Sequence, residues 1–214
     1  MQENLLIGDQ NTRYEEASAF LSKLDHDWES LIKKKGGFNL KISHDLEPYQ
    51  SLIKSVIFQQ LHPQAGNTIF ERFLLMFNNI FPDDKSILTK SSVEIKACGL
   101  SQNKLLAILE IASQSANKKL PTSVEIRKMR DNEIIKLFTT IKGIGEWTVQ
   151  MLLIFNLGRL DIIPHNDLAI RKNYQKLKKL TSPITSKEII KISEAWSPYR
   201  SVASWYLWRV DKTS

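Results

Sequence analysis

Apolar residues recur along this chain at intervals of three and four, and the intervals predict one helix after another. Ala17, Phe20, Leu21, Leu24, Trp28, Leu31 and Ile32 lie on one such face. Gly36-Gly37 ends that helix after Lys33-Lys34-Lys35, a basic run suited to a helix C-terminus. Pro48 opens a second helix that carries Leu52, Ile53, Val56 and Ile57 to Gln59-Gln60, where Leu61-His62-Pro63 interrupts it. A third runs from about Gln64 through Ile69, Phe73, Leu74 and Phe77 to the stop signals Asn78-Asn79 and Phe81-Pro82.

Further along, Ser92 reads as the N-cap of a short helix closed by Gly99, and Ser101 as the cap of a longer one with Leu105, Leu106, Ile108, Leu109 and Ala112. Asp131 caps a helix through Ile134, Ile135, Leu137 and Phe138. A Gly143-Ile144-Gly145 turn leads to another helix from about Glu146 to Leu157, closed by Gly158. A helix starts at Asp167 or Leu168 and ends near Leu180, Thr185 to Glu188 forms a capping box, and Tyr199 to Val210 closes the chain. No alternating strand pattern, repeat or low-complexity tract is visible. The expected fold is all-α with short connections. Irregular chain is expected near residues 1–12, 36–47, 79–91 and 117–124, none of it linker-like, so residues 1–214 read as a single module.

Composition adds a partner class. Thirty Lys and Arg against 23 Asp and Glu leave a net charge of +7, suited to DNA or RNA, although a basic surface also serves solubility. The single cysteine, Cys98, excludes an internal disulfide, a Cys-rich zinc site or a cluster held by four cysteines, and reads as a small core residue. Neither a secretory signal nor an apolar run of about 20 residues is present, and the expectation is a soluble, intracellular protein without membrane contact. Bacterial or archaeal cytoplasm and eukaryotic nucleus both remain open. No metal, redox or organic cofactor is implied.

The stretch Ile141 to Thr148, Ile-Lys-Gly-Ile-Gly-Glu-Trp-Thr, carries the sharpest chemistry. Gly143 and Gly145 permit positive φ and let a bulky partner approach without a Cβ in the way, while Ile144 can anchor the turn in the core. The helix that follows presents amide groups and a positive dipole end, a seat for a phosphate oxygen. A purely structural turn has the same glycines. Downstream, Ile163-Pro164-His165-Asn166-Asp167-Leu168 places an acidic residue at a helix start, where it either caps the helix or presents a carboxylate to a ligand. Asp161, before Ile162-Ile163, reads as a surface turn residue.

The segment 141–175 resembles the helix-hairpin-helix DNA glycosylases of base-excision repair, and most of all their 3-methyladenine DNA glycosylase II branch. Ser51 to Leu61 is similar to the family helix ending in Gln-Gln-Leu or Gln-Gln-Ile, and Ala97 to Lys104 to its Cys-Gly-Leu-Ser-x-x-Lys segment. Trp196 to Ala203 is similar to its Trp-x-Pro-x-Arg-Ser-x-Ala segment. The resemblance implies a two-lobed helical fold with a cleft between the lobes, in the compact form that lacks an added N-terminal β-rich domain. Asp167 falls where the family has its catalytic aspartate.

The implied activity is monofunctional: flipping and hydrolytic excision of alkylated purines of the 3-methyladenine and 7-methylguanine class from double-stranded DNA, by a monomer. An alkylated purine is cationic, so aromatic faces select it; Trp147, Trp208 and Met151 are the expected base pocket. Met151 stands where some relatives have Tyr. Trp147 stands where bifunctional relatives have a nucleophilic lysine, which implies no lyase step. Gln60 is the expected wedge for the vacated stack, with Leu61 beside it and His62 as a groove contact or merely an exposed loop residue. Lys142, Gly143, Ile144, Gly145 and Thr148 are expected at the DNA backbone, whereas Lys176 to Lys179 either join them or are solvated. A catalytically silent DNA-binding member, or a glycosylase for another damaged base such as hypoxanthine or uracil, is the alternative.

Overall fold

A computed structural model describes residues 2–40, 42 and 46–210. In chain order the helices are α1 (Gln2–Ser22), α2 (His26–Lys35), α3 (Pro48–Phe58), α4 (Pro63–Leu75), α5 (Asp84–Thr89), α6 (Ser92–Ala97) and α7 (Gln102–Ala116). They continue as α8 (Ser123–Lys128), α9 (Asp131–Phe138), α10 (Glu146–Phe155), α11 (Leu168–Leu177), α12 (Ser186–Ser193) and α13 (Arg200–Leu207), with a 3-10 turn at Glu194–Trp196. The described residues contain no strand, so the fold is all-α, and none of their helices is long and apolar enough to cross a membrane. The chain forms two compact units, Met1–Lys41 with Gly158–Ser214, and Ile42–Leu157.

The continuous unit is built around α3, α7 and α10. Leu52, Ile53, Val56 and Ile57 of α3 are fully buried, as are Ile108, Ile111 and Ala112 of α7. Six of the ten residues of α10 are buried, which is why its sequence, Glu-Trp-Thr-Val-Gln-Met-Leu-Leu-Ile-Phe, is apolar on nearly every face. Each such Leu or Ile withdrawn from water contributes about 1.5–3 kcal/mol, so this unit rests on the helix that follows the hairpin. Cys98 is buried here, as expected.

The discontinuous unit holds an aromatic core. Trp28 packs edge-on against Trp196 with ring centroids 5.4 Å apart, and Phe38 lies between Tyr14 at 4.5 Å and Trp205 at 5.1 Å. The buried Tyr206 hydroxyl donates to the Gly36 carbonyl at 3.0 Å and lies 3.0 Å from the Ser18 hydroxyl, closing α13 onto α1 and the end of α2.

The structure departs from the periodicity at definite places. The expected first helix is two: Asp25 accepts from the N–H groups of Asp27 at 3.0 Å and Trp28 at 3.2 Å, capping α2 and ending the turn after α1. Residues expected to be irregular before Asn11 belong to α1 from Gln2 onward. Within 79–91, Asp83 caps α5 through the Ser86 N–H at 2.7 Å. α8 follows a Thr122 and Glu125 capping box, and Arg130 rather than Asp131 occupies the N-cap of α9. The capping box at Thr185 and Glu188 and the Ser101 cap are both present. Of the irregular stretch expected at 36–47, residues 41 and 43–45 lie outside the described residues.

Candidate functional site

The hairpin lies in the continuous unit, between α9 and α10. Ile141 and Ile144 are buried and bracket the turn, and the Ile144 N–H donates to the Ile141 carbonyl at 3.0 Å. Lys142, Gly143 and Gly145 are exposed. Gly143 has φ +92°, and a Cβ there would sit 2.8 Å from the Ala107 methyl of α7, so both conformation and packing demand glycine. Gly145 corrects the sequence expectation: its φ of −90° and ψ of 165° suit any residue, and a Cβ there would meet nothing within 4 Å. Its missing side chain leaves room outside the protein rather than inside it. Among the described residues neither the Gly143 nor the Gly145 N–H has a protein acceptor.

Two residues expected at the DNA backbone have their side chains turned inward. Ile144 is a core anchor. Thr148 is 2% exposed, and its hydroxyl accepts from the Gln59 amide at 2.8 Å, so it belongs to the support of the hairpin and not to its outer surface. On α10, Trp147 and Met151 are half-buried and four residues apart, hence on one face.

The loop between α3 and α4 lies in the same unit. Gln60 is exposed with φ +55°, an uncommon conformation for a residue with a side chain, Leu61 is half-buried and His62 is exposed. His62 is the N-cap of α4, its Nδ1 accepting from the Gln64 N–H at 3.4 Å. Gln59 donates a second, longer bond to the Gly143 carbonyl at 3.3 Å. The Lys104 ammonium donates to the carbonyls of Ile57 and Gln59, both at 2.9 Å, and its partial burial pulls its pKa below the usual lysine value. Neither Gln59 nor Lys104 was among the site residues expected from the sequence. Their signals were present in the Gln-Gln-Leu turn and in the lysine that ends the Cys-Gly-Leu-Ser segment.

The candidate carboxylate lies in the discontinuous unit. Asp167 is the N-cap of α11, and its Oδ1 accepts from the N–H groups of Ala169 at 2.8 Å and Ile170 at 3.1 Å. Its Oδ2 accepts from the indole N–H of Trp208 at 3.2 Å. Capping therefore occupies one oxygen, and the other is aimed along a half-buried indole. A negative charge held at a helix N-terminus by three N–H donors is fixed in direction and favoured by the dipole. Trp28, Trp196 and Trp205 are core residues, as expected.

Two polar pairs correct the sequence expectations. Asp161 is no simple surface turn: the Arg200 guanidinium grips it at 2.7 and 2.8 Å, with further bonds from the Arg200 N–H and the Ser197 hydroxyl. Burial pushes the Asp161 pKa up, but those donors outweigh it and hold it below the ordinary carboxylate value. The pair pins the chain leading to Asp167 against the start of the helix that leads to Trp208. Lys178, from the basic run at 176–179, is turned inward to Asp25 and to Asp27 at 3.0 Å, so that ammonium serves the fold.

The chain as a whole is similar to known proteins. The family model of the HhH-GPD superfamily base excision DNA repair protein matches residues 53–198. DNA-3-methyladenine glycosylase 1 of Schizosaccharomyces pombe is 40% identical over 203 residues, 94% of this chain and 89% of that protein. The alkylbase DNA glycosidase-like protein mag2 of the same organism is 34% identical over 93% of this chain and 94% of its own length. The solved structure of the Schizosaccharomyces pombe 3-methyladenine DNA glycosylase Mag1 in complex with abasic DNA superposes with a TM-score of 0.87 at 40% identity, covering 91% of this chain and 95% of that one. Similarity across so much of the sequence, over a fold that matches as closely, leaves one assignment: the protein belongs to the HhH-GPD superfamily of base excision DNA repair proteins.

Proposed function

We propose that this protein is a monofunctional DNA glycosylase that removes alkylated purines of the 3-methyladenine and 7-methylguanine class from double-stranded DNA, acting as a single-module monomer. The observation that carries the reading is the Asp167 carboxylate, fixed by the α11 amides on one oxygen and by the Trp208 indole on the other. The names of its relatives supply the substrate class. Water bonds to C1′ of the sugar, the C1′–N bond breaks, the base leaves with that electron pair, and one proton is released. A purine methylated on a ring nitrogen is already cationic and leaves without strong acid assistance. What remains is positive charge at the sugar in the transition state, which a preoriented carboxylate stabilises.

In this reading the exposed amides of Gly143 and Gly145 take a strand phosphate, supported by Lys142. Gln60 fills the stack, flanked by Leu61 and His62. Trp208, and Trp147 with Met151, present apolar and aromatic surface to the extruded cationic base. Trp147 in place of an amine nucleophile supports hydrolysis without a Schiff base.

The test is release of free base from methylated duplex DNA by the wild type and by Asp167→Asn. Asparagine keeps the N-cap through its Oδ1 and removes the charge; with an NH2 in place of Oδ2 it also removes the acceptor for the Trp208 indole. Loss of about 100-fold or more in single-turnover rate, with DNA affinity retained, is expected. A fully active variant refutes the assignment of Asp167. A wild type that binds DNA but releases no base refutes the glycosylase reading in favour of a silent binding member.

A further inference from the structure

Two anchors join the α3–α4 loop to the hairpin. Helix α3 ends with carbonyls that have no partner inside the helix. Lys104, from the first turn of α7, reaches those of Ile57 and Gln59 at 2.9 Å each. Beyond that cap the Gln59 side chain turns to the hairpin, donating to the Thr148 hydroxyl at 2.8 Å and the Gly143 carbonyl at 3.3 Å. A carbonyl only accepts, which sets the orientation of the amide. The next residue, Gln60, sits at φ +55°, a conformation that persists only where its surroundings enforce it. On the far side, α4 begins against the Phe58 ring, which would lie 2.6 Å from any Cβ at Gly66. The loop is thus held from both ends, and its reference point is the same hairpin whose outer amides are exposed.

We propose that Lys104 and Gln59 are positioning residues that fix the depth of the Gln60 wedge relative to the hairpin grip, so that opening of a stacked duplex depends on them while hydrolysis of an already unstacked base does not. The proposal rests on the reading of the protein as a glycosylase with Gln60 as its wedge. Neither side chain is required to touch DNA: Lys104 spends its hydrogen bonds on α3, and Gln59 on the hairpin. Misplacement by about 1 Å is enough to cost roughly 100-fold in a step that needs aligned groups.

The experiment compares wild type, Lys104→Met, Gln59→Leu and Lys104→Arg on a duplex with one 7-methylguanine, and on the same strand with that base in a one-nucleotide bulge, where little unstacking remains to be done. In parallel, 2-aminopurine placed beside an abasic-site analogue reports unstacking by its fluorescence, with no catalysis involved. Thermal unfolding confirms that each variant is folded. Lys104→Met and Gln59→Leu are expected to lose about 10-fold or more on the paired lesion and less than about 3-fold on the bulged one, with a weakened fluorescence rise. Lys104→Arg, whose guanidinium can span both carbonyls, is expected to restore the paired rate. Equal losses on both substrates with an undiminished fluorescence rise, or wild-type rates in both variants, overturn the proposal. A wild type that excises nothing yet raises the fluorescence refutes the glycosylase reading, and the variants' fluorescence still decides on the anchors; a wild type that raises none refutes the wedge and the proposal together.

Discussion

Replacing each hairpin glycine by alanine separates the fold of the turn from its use. At Gly143 the new methyl meets two obstacles, a φ of +92° and the Ala107 methyl at 2.8 Å. The backbone conformation costs about 1–3 kcal/mol and the overpacking a similar amount, so Gly143→Ala is expected to lose about 2–6 kcal/mol. That is a large part of the 5 to 15 kcal/mol or so that stabilises an ordinary domain. At Gly145 neither obstacle exists, since φ and ψ are ordinary and no atom lies within 4 Å of the added carbon. Alanine gains about 0.4–1 kcal/mol by restricting the unfolded chain and loses a similar amount as a poorer N-cap, a net change within about 1 kcal/mol. If a phosphate approaches that face, however, the methyl blocks it. Loss of one N–H bond to an anion, worth about 1.5–3 kcal/mol, corresponds to roughly 10- to 150-fold in Kd. Urea unfolding and fluorescence anisotropy with a duplex carrying an abasic analogue, at one fixed salt concentration, measure the two quantities. Gly145→Ala with wild-type stability and wild-type DNA affinity would refute the hairpin as the DNA grip.

Three more outcomes follow from the carboxylate unit and its supports. Trp208→Phe removes the N–H that reaches Asp167 but keeps an aromatic face; single-turnover excision is expected to fall about 10-fold with the preference for cationic over neutral bases intact. Trp208→Ala is expected to lose that preference, and unchanged discrimination in side-by-side excision assays would end the case for aromatic selection. For Asp161 the sign follows from its lowered pKa: its contribution to stability is complete above the ordinary carboxylate value and disappears as pH falls through the lower folded value. Asp161→Asn should therefore unfold well below the wild type near pH 7, with the gap in Tm closing below about pH 4; a gap independent of pH would contradict the pairing with Arg200.

What could be read from the sequence was the part governed by period and capping. The α3 and α7 faces repeat at helical spacing because each buries one long stripe, α10 shows as a short apolar run because it is buried on most sides, and Ser101 and Thr185 announce their helices by chemistry that acts within four residues. Short helices escaped because α5 and α8 are too brief for a period to show, although Thr122 and Glu125 already spelled a capping box. The break between α1 and α2 was hidden by Leu24, which continues the apolar spacing through the turn that Asp25 creates. Asp167 and the hairpin were legible through local motifs. The Asp161 to Arg200 pair joins residues 39 apart, and the bond from Gln59 to Thr148 spans 89, distances over which no local rule operates. Thr148 shows the same limit: its place in the first turn after the hairpin suggested an outward role, and only the bond from the half-buried Gln59 amide reveals that its hydroxyl faces in.

Hydrolysis of the glycosidic bond without a break in the strand is the reaction proposed for Asp167. Its most direct measurement is a denaturing gel of an end-labelled duplex with a single 7-methylguanine, incubated with the protein under single-turnover conditions and divided before and after hot alkali, with free base quantified in parallel. Free base is expected in step with strand breaks that appear only after alkali. Breaks before alkali, or alkali-independent cleavage trapped by borohydride as a covalent adduct, would contradict it.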